Sequence, residues 1–232
     1  MRVFAISDLH LSHHTPKAMD IFGSHWKNHF EKISANWREI VTEDDIVLVA
    51  GDLSWAMHLE EAKPDLEAIC ALPGKKVLMK GNHDYWHGSL GKTRALLTNE
   101  TYFMQNDVIV IGEYAFAGTR GWKQRGDSDF TEQDEKIFVR EAERLRLSLN
   151  KVPKDKKLIG MMHYPPFGSN QEATEFTELF REFGAEKVVY GHIHGRAAMS
   201  GEYENIRIGE TEFLLTSCDA LHFQLKLIDE CS

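Results

Sequence analysis

The sequence predicts an α/β fold, because short apolar runs alternate with amphipathic helical stretches and each run stops abruptly at polar residues. Residues 3–6 run into Ser7, Asp8 and His10, and residues 46–50 into Gly51 and Asp52. Residues 77–79 lead through Lys80 and Gly81 to Asn82, His83 and Asp84. Residues 158–162 end at His163, and residues 188–190 at Gly191, His192 and His194. Runs this short read as strands buried on both faces, and strand–helix–strand alternation implies parallel pairing through right-handed crossovers.

Between the first two runs, Phe22, Trp26, Phe30, Ile33, Trp37 and Val41 recur at steps of three or four, the spacing of one amphipathic helix. His25 and His29 fall on the polar side of that helix. Residues 59–72 have helical spacing, with Pro64 inside either as a kink or as the start of a second piece, and Pro73-Gly74 ends them. Residues 102–117 and most of 196–228 read as shorter strands with turns, a second mixed sheet stacked on the first. Within 119–153, Thr131 and Asp134 resemble a capping box, and Phe138, Ala142, Leu145 and Leu149 form a helical stripe. That segment is expected to be a layer helix on the second sheet rather than a mobile lid, inside one domain spanning 1–232.

Composition narrows the function. The chain has 232 residues with 36 acidic and 27 basic side chains, a net charge of −9, which argues against broad electrostatic binding of nucleic acid. A local cationic site for a phosphate remains compatible with it. Cys70, Cys218 and Cys231 include no CxxC pair, so a disulfide framework or a thiolate zinc site is not expected. The N-terminus lacks a signal-peptide pattern, and no run approaches ~18 apolar residues. A cytoplasmic protein without membrane partners is expected.

The strand ends carry the chemistry. Ligands of open α/β sheets bind in the crevice at the carboxyl ends of strands, and five strands here deliver Asp8, His10, Asp52, Asn82, His163, His192 and His194. Glycine directly before Asp52, Asn82 and His192 is expected to permit the tight turn that aims each side chain inward. Carboxylate, imidazole and carboxamide oxygen suit Mn, Fe, Zn or Ni, with Mn favoured. Seven groups exceed one tetrahedral site but suit two divalent ions sharing a carboxylate. Two aspartates and two dications leave about +2, enough to activate water and attract an anionic substrate.

Asp8-Leu9-His10, Gly51-Asp52, Gly81-Asn82-His83-Asp84, His163 and Gly191-His192-Ile193-His194 resemble the five motifs of the calcineurin-like metallophosphoesterases. The resemblance implies a four-layer α/β/β/α sandwich with a binuclear centre. It implies that Asp8, His10 and His194 hold one ion, that Asn82, His163 and His192 hold the other, and that Asp52 bridges them. It further implies that His83 stabilises the transition state or protonates the leaving group, with Asp84 orienting its ring. Trp55 departs from the pattern, since many members carry Asp, Asn or Arg at that place after the second-motif aspartate.

Arg120, flanked by Gly121 and Trp122, is a candidate for gripping a substrate phosphate. The expected activity is hydrolysis of a small phosphomonoester or phosphodiester by attack of a metal-bridging hydroxide. A non-catalytic metal-binding scaffold for protein interaction is the alternative, weakened by retention of all seven ligands and His83.

Overall fold

The computed structural model describes residues 1–14 and 16–231. The chain opens with β1 (Arg2–Ile6), followed by two short 3-10 turns and α1 (His29–Ile40). Next come β2 (Ile46–Val49), α2 (Leu59–Cys70), β3 (Lys75–Met79), α3 (Leu90–Leu96) and β4 (Thr101–Met104). The hairpin of β5 (Val108–Ile111) and β6 (Tyr114–Thr119) leads to α4 (Glu132–Leu149) and β7 (Lys157–Met162). The remainder comprises α5 (Glu175–Glu182), β8 (Lys187–Tyr190), α6 (Gly195–Met199), β9 (Asn205–Ile208), β10 (Thr211–Leu215) and β11 (Lys226–Glu230).

Among the described residues these strands form two mixed sheets, ordered β11-β1-β2-β3-β4 and β5-β6-β7-β8-β10-β9. β1 to β4 run parallel to one another, as do β6, β7, β8 and β10. Only β11, β5 and β9 pair antiparallel, each at an edge. The period-2 alternation of the strands sorts the core into three parts. Val3, Ala5, Leu48, Val77, Phe116, Ile159 and Val189 meet between the sheets. Phe4, Ile6, Val47 and Val49 face outward onto Ile33, Trp37, Leu66 and Ile69 of α1 and α2. Ala117, Leu158 and Val188 face outward onto Phe138, Leu145, Phe176 and Phe180 of α4 and α5. Helix, sheet, sheet, helix is therefore the layer order, as the sequence predicts.

Two expectations need correction, and one pair of alternatives is decided. The stripe from Phe22 to Val41 is not one helix: Gly23 at φ 131° and Asn28 at φ 54° break it, and α1 begins at His29. His29 consequently leaves the polar face, and its ring nitrogen Nε2 lies 2.9 Å from the Leu9 carbonyl. The strands at 101–104 and 226–230 belong to the first sheet, not the second, because β4 continues the parallel series and β11 closes its edge against β1. Pro64 lies within a single α2 and starts no second piece. The capping box does form, with Asp134 Oδ2 accepting from Thr131 N at 2.9 Å, and α4 lies in its layer as a packed helix.

One carboxylate ties the sheets together. Asp229 on β11 accepts hydrogen bonds from Tyr114 Oη (2.7 Å), Lys157 Nζ (2.8 Å) and Lys187 Nζ (2.9 Å), all from the second sheet. Burial raises its pKa, but the bonds from Lys157, Tyr114 and Lys187 outweigh burial and bring it down to about 2. Asp229→Asn should lower unfolding free energy by ~1–3 kcal/mol in a denaturant titration near neutral pH. The wild-type advantage is fully present above the ordinary value near 3.8 and fades as pH falls toward about 2. Equal stability of the two proteins at neutral pH would contradict the clamp.

Candidate metal centre

Every parallel strand that the sequence marked ends at one common rim. Main-chain bonds stitch the rim loops together: Asp8 N donates to Gly51 O (2.9 Å), His10 N to Asp52 O (3.0 Å), and Gly191 N to His163 O (3.1 Å). Four of the seven candidate ligands are themselves in the left-handed region: Asp8 (φ 62°), His10 (φ 47°), Asp52 (φ 54°) and His192 (φ 73°). Such strain costs on the order of 1–3 kcal/mol per residue and clusters at functional sites.

The glycines act differently from expectation. Gly51 does take a positive φ of 95°, but Gly81 and Gly191 do not; they are small for lack of room. A Cβ on Gly81 would stand 2.1 Å from Asp52 Oδ1, and one on Gly191 would stand 2.5 Å from Asp8 Oδ2.

The ligand side chains converge. His194 Nε2 lies 3.0 Å from Asp8 Oδ1, and His10 Nε2 lies 3.8 Å from Asp52 Oδ2. Asn82 Oδ1 lies 2.6 Å from His163 Nε2 and 2.9 Å from His192 Nδ1, while His163 Nε2 is 3.4 Å from Asp52 Oδ2. Asp8, His10 and His194 form one group able to hold a cation, and Asp8, Asp52 and His163 form another.

The donor set fits divalent metal. Asp8, Asp52 and His163 are buried, and His10 Nδ1 and His194 Nε2 are buried atoms with no hydrogen-bond partner. The outer partners also point the rings. His163 Nδ1 donates to the Ala50 carbonyl (3.0 Å), which turns Nε2 into the cluster. His194 Nδ1 is held by Asp219 Oδ1 at 2.9 Å, and Asp219 Oδ2 accepts from Gly195 N at 2.8 Å.

Asp219 was missed in the sequence. The apolar Phe213, Leu214 and Leu215 stop at Thr216 and Ser217, the same pattern as the other strand ends, and Asp219 follows. Ser217 Oγ also donates to Asp8 Oδ2 at 3.0 Å.

Asp84 has a different task from the expected one. Its carboxylate does not orient the His83 ring: Oδ1 accepts from Leu53 N (2.9 Å), Ser54 N (3.1 Å) and Trp86 Nε1 (2.9 Å), and Oδ2 from Gly81 N (2.8 Å). It pins the Asp52 and Asn82 loops together. Burial and the nearby Asp52 charge raise its pKa to about 6.

His83 sits beside the cluster by a main-chain bond, its N donating to Asp52 Oδ1 at 2.8 Å. The ring lies 4.5 Å from the Trp55 ring and 5.7 Å from that of His10. Arg120 is not brought to the cluster. Its carbonyl accepts from His163 N and Tyr164 N, but its side chain lines a separate cavity with Arg140 and Glu141.

Known proteins share this architecture. Residues 1–196 match the family described as calcineurin-like phosphoesterase. The chain belongs to that family. Among solved structures, the phosphopantetheinyl hydrolase from Mycobacterium tuberculosis is 13% identical with a TM-score of 0.61, covering 98% of this chain and 95% of that one. The protein TT1561 of Thermus thermophilus is 11% identical with a TM-score of 0.60, covering 98% of each chain. These likenesses concern the fold. No curated protein matches the chain, and no described helix is long and apolar enough to cross a membrane.

Electrostatics gives a test of the centre. Burial disfavours charge on His163 and His194, but the adjacent carboxylates overcome it. Asp52 and Asp8 lift His163 to about 9, and Asp8 and Asp219 lift His194 to about 10. Burial instead takes His10 and His192 down to about 4. In the metal-free protein two imidazolium charges thus balance Asp8 and Asp52, and a cation must displace those protons. Binding of Mn at pH 7 should release close to two protons, read from calorimetry in buffers of different ionisation enthalpy. Affinity should rise with pH up to about 9–10. Proton-independent binding would contradict ligation by these rings.

Proposed function

We propose that this chain is a metal-dependent hydrolase of a small phosphomonoester or phosphodiester, and that Asp8, His10, Asp52, Asn82, His163, His192 and His194 hold two divalent ions. Asp8, His10 and His194 serve one ion, Asn82, His163 and His192 the other, and Asp52 is shared. The observation that carries this reading is the convergence of Asp8, His10, Asp52, His163 and His194, with Asn82 and His192 against them, at the rim of a calcineurin-like phosphoesterase fold. Such ions, when bound, polarise phosphoryl oxygens and lower the pKa of water for in-line attack. Mn heads the list of suitable ions, with Fe, Zn and Ni behind it.

His83 is the catalytic residue of the reading. Burial holds its pKa below the ordinary value, and none of the four donors on Asp84 is its ring. A neutral ring N–H that donates a hydrogen bond to a phosphoryl oxygen in the transition state fits this setting better than a standing imidazolium. Asp84 is a positioning residue. His83→Ala should retain its metals and lose ~10²–10³ in kcat, the scale of one lost transition-state donor. The loss should be similar for esters with good and poor leaving groups. Selective loss on poor leaving groups would instead establish proton donation.

The apolar lining beside His83 speaks to the organic half of the substrate. A pocket of about 320 Å³ is lined by His10, His83 and His194 together with Met19, Phe22, Trp26 and Trp55. Trp55 stacks on His10 with ring centroids 4.6 Å apart and carries Lys17 Nζ 3.3 Å from its ring. A polar residue at that place would address substrate oxygens; an indole addresses apolar surface.

Aryl phosphates should therefore be turned over with higher kcat/KM than glycerol phosphate. Phe22 lines this pocket and is 56% exposed, so Phe22→Ala should cost about 1 kcal/mol, roughly fivefold, in kcat/KM for the aryl ester alone. A panel of mono- and diesters assayed with Mn, Fe, Zn and Ni tests the whole reading. Bound metal with no turnover of any ester would favour the protein-interaction scaffold.

A further inference from the structure

A second cavity, of about 290 Å³, opens at the same rim but is lined by none of the seven metal-cluster side chains. Lys80 follows β3, Gln105 follows β4, Arg120 follows β6, and Arg140 and Arg144 descend from α4. Four cations thus face one carboxylate, Glu141. That carboxylate is 1% exposed and already engaged, with Thr119 Oγ1 donating to Oε2 (2.6 Å) and Arg144 Nη1 to Oε1 (2.7 Å). Arg120 Nη2 stands 3.5 Å from Oε1.

The rest of the lining is left with donors. Among the described residues no carboxylate lies within ion-pair distance of Lys80 or Arg140. Arg120 Nε is buried without a hydrogen-bond partner. Gln105 Oε1 accepts from His87 Nε2 at 2.8 Å, which leaves the Gln105 amide N–H groups uncommitted. Guanidinium, ammonium and amide donors without acceptors define a site for an anion with several oxygens. The sign is opposite to that of the chain, which carries −9 overall, so the positive excess is local.

We infer that this cavity binds a phosphate-class oxyanion, apart from the metal centre. Arg120, singled out in the sequence as a phosphate-gripping residue, finds its role here. The site also touches the centre's scaffolding. Lys80 leads directly into Gly81 and Asn82, and the Arg120 carbonyl accepts from the His163 and Tyr164 amides. An anion drawn between Lys80 and Arg120 therefore bears on two loops that carry metal-cluster side chains.

The test is titration of inorganic phosphate into the full-length chain, with Mn and after chelation, by calorimetry and phosphorus NMR. Phosphate binding that survives chelation and weakens at least tenfold in Arg140→Gln/Arg144→Gln is the expected result. Arg140 is exposed and has no ion pair among the described residues, so Arg140→Gln alone should fold normally and weaken binding several-fold, while Arg140→Lys recovers most of it. Kinetics separates two sources of the anion. Competitive inhibition by phosphate, with Arg140→Gln raising KM only for bisphosphorylated esters, identifies a second phosphate of the substrate. Non-competitive inhibition that Arg140→Gln abolishes identifies a separate effector. Absence of phosphate binding after chelation, or binding indifferent to the arginine variants, overturns the inference, and either result leaves the metal-centre reading to its own ester panel.

Discussion

Two carboxylates withdrawn from water, Asp8 and Asp52, are the constraint on which the rest of the structure depends. Each is almost fully buried where the rims of the two sheets meet. A buried carboxylate is tolerated only with compensating charge and hydrogen bonds. Ser7, Ser217 and the His192 amide serve Asp8, and the His83 amide serves Asp52. The rings of His194, His163 and His10 complete the surroundings. The loops that bring these groups together must approach closely, and that requirement explains both the left-handed backbone at Asp8, His10, Asp52 and His192 and the lack of side chains at Gly81 and Gly191.

Further groups hold the ligands in place, and they come from elements far apart in sequence. Asp84 collects four N–H donors from two loops, so it acts on the centre through geometry. Asp219 reaches His194 from beyond β10, and the Ala50 carbonyl reaches His163 across the sheet interface. Aromatic rings back the ligands on the open side: Trp55 behind His10, and Tyr164 behind His192 with centroids 4.2 Å apart. The result is a polar cluster with a hard, apolar surround, in which electrostatic interactions are less screened than in water.

The charge pattern divides the rim into two regions of different chemistry. Around Asp8 and Asp52 stand Asp and His groups able to hold a cation. Around Arg120 and Arg140 stand guanidinium and ammonium groups of the opposite sign. The loop from Lys80 to His87 runs between them, with Asn82 turned to one side and Lys80 and His87 to the other. Neither region is evident in the net charge of −9, which sums over the whole chain and records no local excess.

Strand positions and the polar residues at their carboxyl ends were legible in the sequence because both are local. A buried strand needs a run of apolar residues, and a residue such as Asp52 or His163 directly after such a run lies at its carboxyl end whatever the sheet order. The layer order was legible through the family resemblance and the stripe on α4. Sheet membership of β4 and β11 was not, since period-2 alternation records that a strand is buried and not which strand it pairs with. The break before α1 was hidden because Trp26 keeps helical spacing while reaching the core from a 3-10 turn. The roles of Asp84, Asp219 and Arg120 depended on which backbone amides and side chains approach them in space. The contacts of Asp84 with Leu53 and Ser54, of Asp219 with His194 and of Arg120 with the His163 amide join segments distant in the chain, and only packing decides them.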